Sequence, residues 1–439
     1  MQVISPWDAA KSMTEAPDTP AETEFSGRRG RLFWLALKLG FLTVLTLGMY
    51  RFWMKTRLRR WYWSAFRPMG HPLEYVGDPW EKLLGFLIAV VFLAFYIGVV
   101  NLLLMFASFS LFNGNVAAYV LSFIGVIPLW FYASYRARRY VLARTRWRGI
   151  RFGLAPGAWG YAGRALWHWF LAIVTLGILW PRKAFYLEKY ITDRTYFGAE
   201  AMEQGGKWTG LLRPWLGVWL PLIAAIVCTA AVIYFETNAI SSIPQLDGPL
   251  TPGALENDMV HRAEASLFQM LPALVVIYLI WQPLALINYN VKRLRYLTSN
   301  KHVVGAQLSL APRFWRVTGI YFWGYTLASL VAMIFLIPIG VVAVFTAMGM
   351  GAEIGLDLGQ INNLPQIAMT AIAIGSYFLL FLMWSVLMHA FIRFPLMRHY
   401  AESFQIANPT VLNAITQRPR DEFGEAEGFA EALDVGAAI

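Results

Sequence analysis

Apolar stretches recur along this chain of 439 residues and are separated by short polar segments. Most of them approach the roughly 20 residues with which an α-helix crosses the hydrocarbon core of a bilayer. They cover residues 32–54, 83–107, 116–135, 165–181, 215–235, 267–290, 317–347 and 366–394. The pattern predicts an all-α fold, a polytopic membrane helix bundle.

The charge of the connecting segments predicts which helix ends face the cytoplasm. Residues 51–67 carry six basic residues and residues 136–151 carry seven, and neither segment contains an acidic residue. Residues 236–266 and 347–365 are acidic instead. Because Lys and Arg accumulate in short cytoplasmic loops, the basic segments and both ends of the chain are predicted to be cytoplasmic.

Two of the apolar runs, 32–54 and 165–181, have basic residues on both flanks, which conflicts with a single crossing of the membrane. Each run contains a Thr-Leu-Gly triplet, Thr46 to Gly48 in the first and Thr175 to Gly177 in the second. A glycine after a β-branched stretch is a natural place for a helix to break. We therefore predict six spanning helices plus two re-entrant or interfacial helices. The alternative is eight spanning helices.

A short phrase recurs five times, each time just after an apolar run: basic residues, an aromatic residue, then a glycine eight or nine positions later. The copies are Arg59-Arg60-Trp61 with Gly70, Arg138-Arg139-Tyr140 with Gly149, Glu188-Lys189-Tyr190 with Gly198, Leu294-Arg295-Tyr296 with Gly305, and Arg398-His399-Tyr400 with Asn408 in place of the glycine. The glycine would let the chain turn sharply after a helix.

Bases next to Trp and Tyr suit the lipid headgroup layer, where the rings lie at the interface and the basic side chains reach phosphates. Two interpretations remain open. The repeats either only anchor and orient the helices, or they form a basic vestibule that binds anionic lipid or an anionic solute. The candidates for such binding are Arg59, Arg60, Arg138, Arg139 and Arg295.

The segment from Thr46 to Lys55, followed by Trp61 and Gly70, resembles the signature of the YjgN family of bacterial inner-membrane proteins. The segment from Thr175 to Lys183, with Tyr190 and Gly198, is similar to the same signature. The resemblance covers about residues 25–410. It implies a multi-pass protein of the bacterial inner membrane, built from a domain of unknown function, and no established chemistry. The fifth copy departs from the family pattern at Asn408.

Composition supports the membrane class, with 58% hydrophobic and 14% charged residues, against about 25% charged in soluble domains. The net charge is +11, but the sequence contains no nucleic-acid reader motif, so no nucleic-acid partner is predicted. The single Cys228 provides no disulfide framework, and no two histidines have metal-ligand spacing. No nucleophile or phosphate-loop motif is present. We predict no metal, no cofactor and no enzymatic activity.

A few polar residues interrupt the apolar pattern. Gln282, Asn288 and Asn290 surround Pro283 in one apolar run and would either line a cavity or hold neighbouring helices together. The two acidic residues of the third copy are expected to pair with nearby bases. These are Glu188 and Asp193, with Lys183, Lys189 or Arg194.

Three regions are predicted: a disordered tail over 1–24, a membrane-embedded domain over 25–410 and an acidic tail over 411–439. The acidic tail would either solubilise the protein or cover the basic repeats. The expected function is to bind or pass a small anionic or lipidic molecule at a basic cavity that faces the cytoplasm. The expected partners are the bilayer and its anionic phospholipid. The alternative is a membrane scaffold for other proteins.

Overall fold

The computed structural model of the protein describes residues 20–112, 116–241, 270–349 and 366–418. It consists of five successive units, each with two helices that pack against each other, followed by β-strands. The helices of the first three units are α1 (Arg29–Leu45) and α2 (Arg51–Ala65), α3 (Pro79–Phe112) and α4 (Val116–Ala143), and α5 (Ala158–Val174) and α6 (Trp180–Thr192).

The last two units have long helices. The fourth has α7 (Leu212–Ser241), which follows a 3₁₀ turn at Trp208–Leu211, and α8 (Met270–Ser299). In the fifth, α9 (Phe314–Gly349) packs against α10 (Gln366–Met388), which continues through a π-helical turn into α11 (Phe394–Glu402).

The all-α prediction was wrong, because each pair of helices leads into strands of a ten-stranded antiparallel sheet. The strands are β1 (Ala21–Phe25), β2 (Phe66–Pro68), β3 (Leu73–Tyr75), β4 (Thr145–Trp147), β5 (Ile150–Leu154), β6 (Thr195–Phe197), β7 (Glu200–Gln204), β8 (Lys301–Val303), β9 (Ala306–Leu310) and β10 (Phe404–Ala407). Strands of three to five residues are too short to show the period-two alternation that predicts a strand.

The sheet is a nearly closed ring, in the order β2-β1-β10-β9-β8-β7-β6-β5-β4-β3. Its two terminal strands, β2 and β3, are consecutive in the chain and contact each other. The second, third and fourth units each supply a hairpin of paired strands, whereas the first supplies β2 and β3, the two ends of the sheet. In the fifth unit β10 pairs instead with β1, with Ala21 opposite Ile406, and β1 pairs on its other side with β2, with Phe25 opposite Phe66. The N-terminal strand therefore completes the fifth unit.

The four spaced glycines of the repeat lie in the turns between the two strands of their unit. Gly70, Gly149 and Gly305 have φ of 76°, 79° and 83°, and the residue before each also has positive φ. Two consecutive positive φ values match the type I′ turn, whose twist suits a hairpin. Gly198 has φ 59°, and Asn408 keeps the left-handed conformation with φ 54°. Asparagine tolerates that region better than other residues with a side chain.

The predicted number of spans was also wrong. In the part of the chain that the structure describes, three helical stretches are long and apolar enough to cross a membrane, not six or eight. They are Trp208–Tyr234, Phe314–Ile334 and Ile374–Glu402. The eight-span alternative fails for a visible reason, because the runs 32–54 and 165–181 each contain a turn between two shorter helices.

Both ends of the part of the chain that the structure describes lie on the sheet. Strand β1 begins at Ala21, inside the segment predicted as a tail. After β10, a 3₁₀ helix at Pro409–Ala414 packs Leu412 and Ile415 against one buried residue from each of β4, β6, β8 and β10. These are Trp147, Phe197, Val303 and Ile406. The acidic stretch predicted to cover the basic repeats lies outside the described residues.

Candidate functional site

The repeat aromatics tie the second helix of a unit to the start of the same unit's first helix. Tyr190 donates a hydrogen bond to the carbonyl of Gly157 at 2.9 Å, and Tyr296 donates one to the carbonyl of Lys207, also at 2.9 Å. Both carbonyls lie just after the preceding hairpin, where the next helix begins. Tyr140 does the same through the Glu81 carboxylate at 3.0 Å.

The first and fifth copies make a corresponding contact through a different kind of interaction. In the fifth copy, His399 accepts a hydrogen bond from the backbone N–H of Arg313 at 3.0 Å, just before α9. In the first copy, Trp61 packs on Gly27, where an added Cβ would lie 2.8 Å from the indole ring. Gly27 follows β1, so this contact joins the first unit to the strand that completes the fifth.

The five basic candidates have different surroundings. Arg59 is only 8% exposed and donates a hydrogen bond to the Tyr75 hydroxyl at 3.3 Å. Arg60 donates one to the carbonyl of Gly77 at 2.9 Å. Arg138 lies 3.6 Å from Glu188, Arg139 is partly buried, and Arg295 is exposed. The first three thus have partners within the protein, which a count of basic residues does not reveal.

Glu188 is the centre of a charged cluster that joins three units. Its carboxylate lies 2.6 Å from Lys301 of β8 and 3.6 Å from Arg138 of α4. Burial alone would raise the pKa of this carboxyl, but Lys301 and Arg138 lower it to about 2. Of the predicted local pairs, Asp193 does pair with Lys189, at 3.0 Å. Glu188 pairs across the fold instead.

Lys183, on the same helix as Glu188, has no such partner. It is 7% exposed, and its Nζ lies 3.7 Å from the ring centre of Trp169 and 3.0 Å from that of Trp180. Burial, and next the charge of Arg293, lower the pKa of Lys183 to about 7. In the described part of the chain, the Lys183 ammonium group has no ion pair or hydrogen bond, and it contacts only these two ring faces, which attract a cation.

A layer of stacked rings extends from Lys183 to α8. Trp180 stacks on Trp215 of α7 at 5.8 Å, and Trp215 meets Tyr289 of α8 edge-on at 4.9 Å. Tyr289 is 1% exposed, and its hydroxyl has no hydrogen-bond partner among the described residues. Arg293, one turn further along α8, lies 5.9 Å from the centre of the Tyr289 ring. Sequence reasoning missed this cluster, since its members come from distant positions.

The first Thr-Leu-Gly triplet forms the turn between α1 and α2. The N–H of Gly48 donates to the carbonyl of Thr43 at 2.7 Å, and that of Leu47 donates to Val44 at 3.0 Å. These are the two bonds of a Schellman motif, which ends a helix. The hydroxyl of Thr46 accepts the N–H of Tyr50 at 2.9 Å, at the start of α2.

The second triplet forms the same turn between α5 and α6, where Gly177 donates to Ala172 at 2.6 Å. The indole N–H groups of Trp215 and Trp219 donate to the carbonyls of Gly177 and Leu176, at 2.9 and 2.8 Å. Both turns present an exposed leucine, with Leu47 85% and Leu176 73% exposed. The second turn thus combines an exposed apolar tip with two carbonyls that accept indole N–H groups.

A groove of about 790 Å³ lies between α8 and α9 and reaches α11. Most of its wall is apolar, and polar groups gather at Asn290, Thr318, Tyr321 and Tyr400. The hydroxyl of Thr318 is buried there and has no hydrogen-bond partner among the described residues. Pro283 and Asn290 of the predicted polar cluster do line this groove, which neither Thr-Leu-Gly turn contacts.

The three apolar helical stretches and the apolar side chains exposed along them define a membrane protein. Within the described ranges, no group of three or more His, Cys, Asp or Glu residues could hold a metal ion.

Residues 20–327 match the family described as "Bacterial protein of unknown function (DUF898)". The match covers more than half of the chain, so the protein belongs to this family, which is the YjgN family, and the predicted resemblance is confirmed. No curated protein and no solved structure matches the chain.

Proposed function

We propose that this protein binds an anionic lipid in the groove between α8 and α9, in the inner membrane of a bacterium and with the sheet toward the cytoplasm. The groove's volume of about 790 Å³ is within the range of known ligand pockets, roughly 300–1,000 Å³. Its long apolar wall suits acyl chains, which gain from leaving polar surroundings.

The observation that carries the proposal is the groove's polar end. Asn290 and Tyr400 lie there together with the buried, unpartnered hydroxyl of Thr318. Arg316, which precedes the lining residue Val317, lies 3.6 Å from Glu402, and its side chain is 54% exposed. Amide and hydroxyl donors at the polar end of an apolar groove, close to a partly exposed base, suit a charged phosphate headgroup.

The proposal is tested by filling the groove. Leu284→Trp inserts a ring into the groove wall, whereas the matched variant Leu279→Trp changes a residue of α8 that is 62% exposed and outside the groove. Native mass spectrometry would count the phosphatidylglycerol molecules retained after exchange into neutral detergent. We expect Leu284→Trp to retain about tenfold less than the wild type, equivalent to about 1.4 kcal/mol, and Leu279→Trp to match the wild type.

Equal retention of phosphatidylglycerol by both variants would contradict the proposal. If Leu284→Trp instead released a helical protein partner, and lipid retention were unchanged, the groove would serve the scaffold function considered from the sequence.

A further inference from the structure

We propose a second binding site, for a phosphate-type oxyanion, in a cavity where the hairpin β4/β5 meets the start of α3 and the end of α4. The cavity has a volume of about 230 Å³ and shares no lining residue with the groove. Its lining residues are Val76, Glu81, Ala143, Arg144, Arg146 and Arg151. The ligand is either the headgroup of an anionic lipid or a soluble phosphate compound, since both present the same charged oxygens.

Two of the three lining arginines face each other across the hairpin. Arg146 of β4 lies directly opposite Arg151 of β5. The backbone N–H of Arg151 donates to the Gln417 side chain at 3.0 Å, and its carbonyl accepts the N–H of Gly198. The arginines are therefore a non-hydrogen-bonded pair, the kind whose side chains come closest. Like charges at such positions destabilise a sheet, and an anion between the two guanidinium groups would remove that cost.

The other hairpins show that this position does not require two bases. The corresponding cross-strand pair is Tyr196 with Ala201 in β6/β7, and His302 with Gln307 in β8/β9. Each of these pairs, like the arginine pair, lies next to the pair that flanks the turn. Of these three hairpins, only that of the second unit sets two arginines opposite each other, so the repeat alone does not explain them.

The carboxylate that lines the cavity is already used. Glu81 accepts hydrogen bonds from Arg144 at 2.8 and 3.0 Å and from the Tyr140 hydroxyl at 3.0 Å. These contacts neutralise Arg144 and satisfy both oxygens of Glu81. The charges of Arg146 and Arg151 are left unbalanced within the cavity.

Arg146 shows this shortage most directly. Its Nε is buried and has no hydrogen-bond partner among the residues that the structure describes. Glu74 of β3 lies opposite it on the other side, but Glu74 is exposed and no ion pair joins the two. The guanidinium group of Arg151 also has no ion pair or hydrogen bond within the described ranges. Buried donors are nearly always hydrogen-bonded in native proteins.

The donor set indicates the class of ligand. Each guanidinium group can give two parallel hydrogen bonds to one anion. A phosphate, with three or four oxygens, can use two such groups at once, whereas a carboxylate has two oxygens. The competing occupant is therefore a carboxylate of the acidic stretch that begins at Asp421, four residues after Gln417.

The test uses the full-length protein in neutral detergent. Thermal unfolding is measured against increasing inorganic phosphate, with chloride at equal ionic strength as the control, and separately against phosphatidylglycerol and phosphatidylcholine. Ligand that binds only the folded state raises the unfolding temperature with its concentration. Stabilisation by phosphate identifies a soluble ligand. Stabilisation by phosphatidylglycerol alone, when the groove variant Leu284→Trp keeps it, identifies a headgroup.

We expect Arg146→Gln and Arg151→Gln each to raise the apparent Kd for the stabilising ligand about tenfold or more, as fits the loss of a hydrogen bond to a charged group. Without ligand, both variants should unfold at the same temperature as the wild type or higher, because the repulsion across the hairpin is gone. A merely structural role for the arginines would lower that temperature and leave the phosphate response unchanged.

The matched control is Arg148→Gln, which removes the same charge from an exposed position of the same hairpin, outside the cavity. It should keep the phosphate response of the wild type, and so should Leu284→Trp, which separates this site from the groove.

The proposal is overturned if the wild type responds to neither ligand, if Arg151→Gln responds as strongly as the wild type, or if Arg148→Gln loses the response equally. It is also overturned if phosphate acts only after Asp421, Glu422 and Glu425 are replaced by their amides, because the acidic stretch would then be the occupant. A response to phosphatidylglycerol that Leu284→Trp alone abolishes would belong to the groove and would equally overturn this site.

Discussion

Two residues of α6 show how the same helix can hold opposite charges in very different states. Glu188 is matched by two bases from other units, whereas Lys183 faces only aromatic rings. The carboxylate cluster joins α4, α6 and β8, and so it links the second, third and fourth units. A partly buried ion pair with good geometry holds its elements together chiefly because breaking it leaves a buried charge.

Replacing Glu188 by Gln should lower the free energy of unfolding by about 2 kcal/mol, the size of a hydrogen bond to a charged group. Since the pKa of Glu188 is lowered from 4.5 to about 2 in the fold, its stabilising effect is complete above pH 4.5 and is lost as the pH falls toward 2. The difference between wild type and Glu188→Gln should shrink over that window. Thermal unfolding at several pH values would measure it.

The matched control is Glu74→Gln, at an exposed position of β3. It should change stability by less than about 0.5 kcal/mol. If both variants lost the same amount, or if the Glu188→Gln difference were constant down to pH 3, the cluster would not have the role assigned to it.

Among the elements, the two short helical pairs differ from the three long ones by a single local device. In α1/α2 and α5/α6 a Schellman turn at a Thr-Leu-Gly triplet ends the first helix after 17 residues. The hydroxyl of the same triplet's threonine then accepts a backbone N–H at the start of the second helix, so the chain reverses within a few residues. These local signals outweigh an apolar run long enough to span the membrane.

Replacing Gly48 or Gly177 by Ala should therefore destabilise the protein. Both glycines have positive φ, 92° and 88°, and a Cβ in that region costs roughly 1–2 kcal/mol. Gly163 lies within α5, where an added Cβ would meet no atom within 4 Å, and Ala in a helix interior is favoured over Gly by up to about 1 kcal/mol.

Thermal unfolding of the three alanine variants would compare these positions. The unfolding temperatures of Gly48→Ala and Gly177→Ala should lie below that of the wild type, and that of Gly163→Ala should equal or exceed it. A loss of equal size at all three positions would show that the turns are not strained by a side chain.

For the whole molecule, closure of the ring depends on one short strand. Strand β1 covers edges of both β2 and β10, and the N–H of Met69 donates to Glu22 within this junction at 3.2 Å. Without β1 the fifth unit has one strand, and two strand edges become available to other chains. The N-terminal strand is therefore as much a part of the repeat structure as the hairpins are.

A variant that lacks residues 1–25 should show a severalfold lower yield of monodisperse protein and a lower unfolding temperature. The control variant lacks only residues 1–19 and keeps β1, so it should behave as the wild type does. Size-exclusion chromatography in detergent would compare them. A synthetic peptide of residues 20–27 should restore part of the stability of the shorter variant. Wild-type behaviour of the shorter variant would contradict this account of closure.

Local patterns determined much of this protein. The apolar composition indicated the membrane class, because hydrocarbon requires such side chains. The Thr-Leu-Gly triplets indicated the two helix breaks, and the five copies of the basic-aromatic phrase matched the number of units. These features depend on neighbours within a few residues, so the chain alone carries them.

The tertiary structure decided the rest. The strands could not be predicted, because three to five residues carry too little periodicity and their partners lie in other units, as Ala21 and Ile406 do. The same holds for chemistry: Glu188 pairs with Lys301 of another unit, and Lys183 meets Trp169 and Trp180 only in the folded structure. A list of basic residues cannot separate cations that pair with a carboxylate from those that face aromatic rings, because burial and distance belong to the fold.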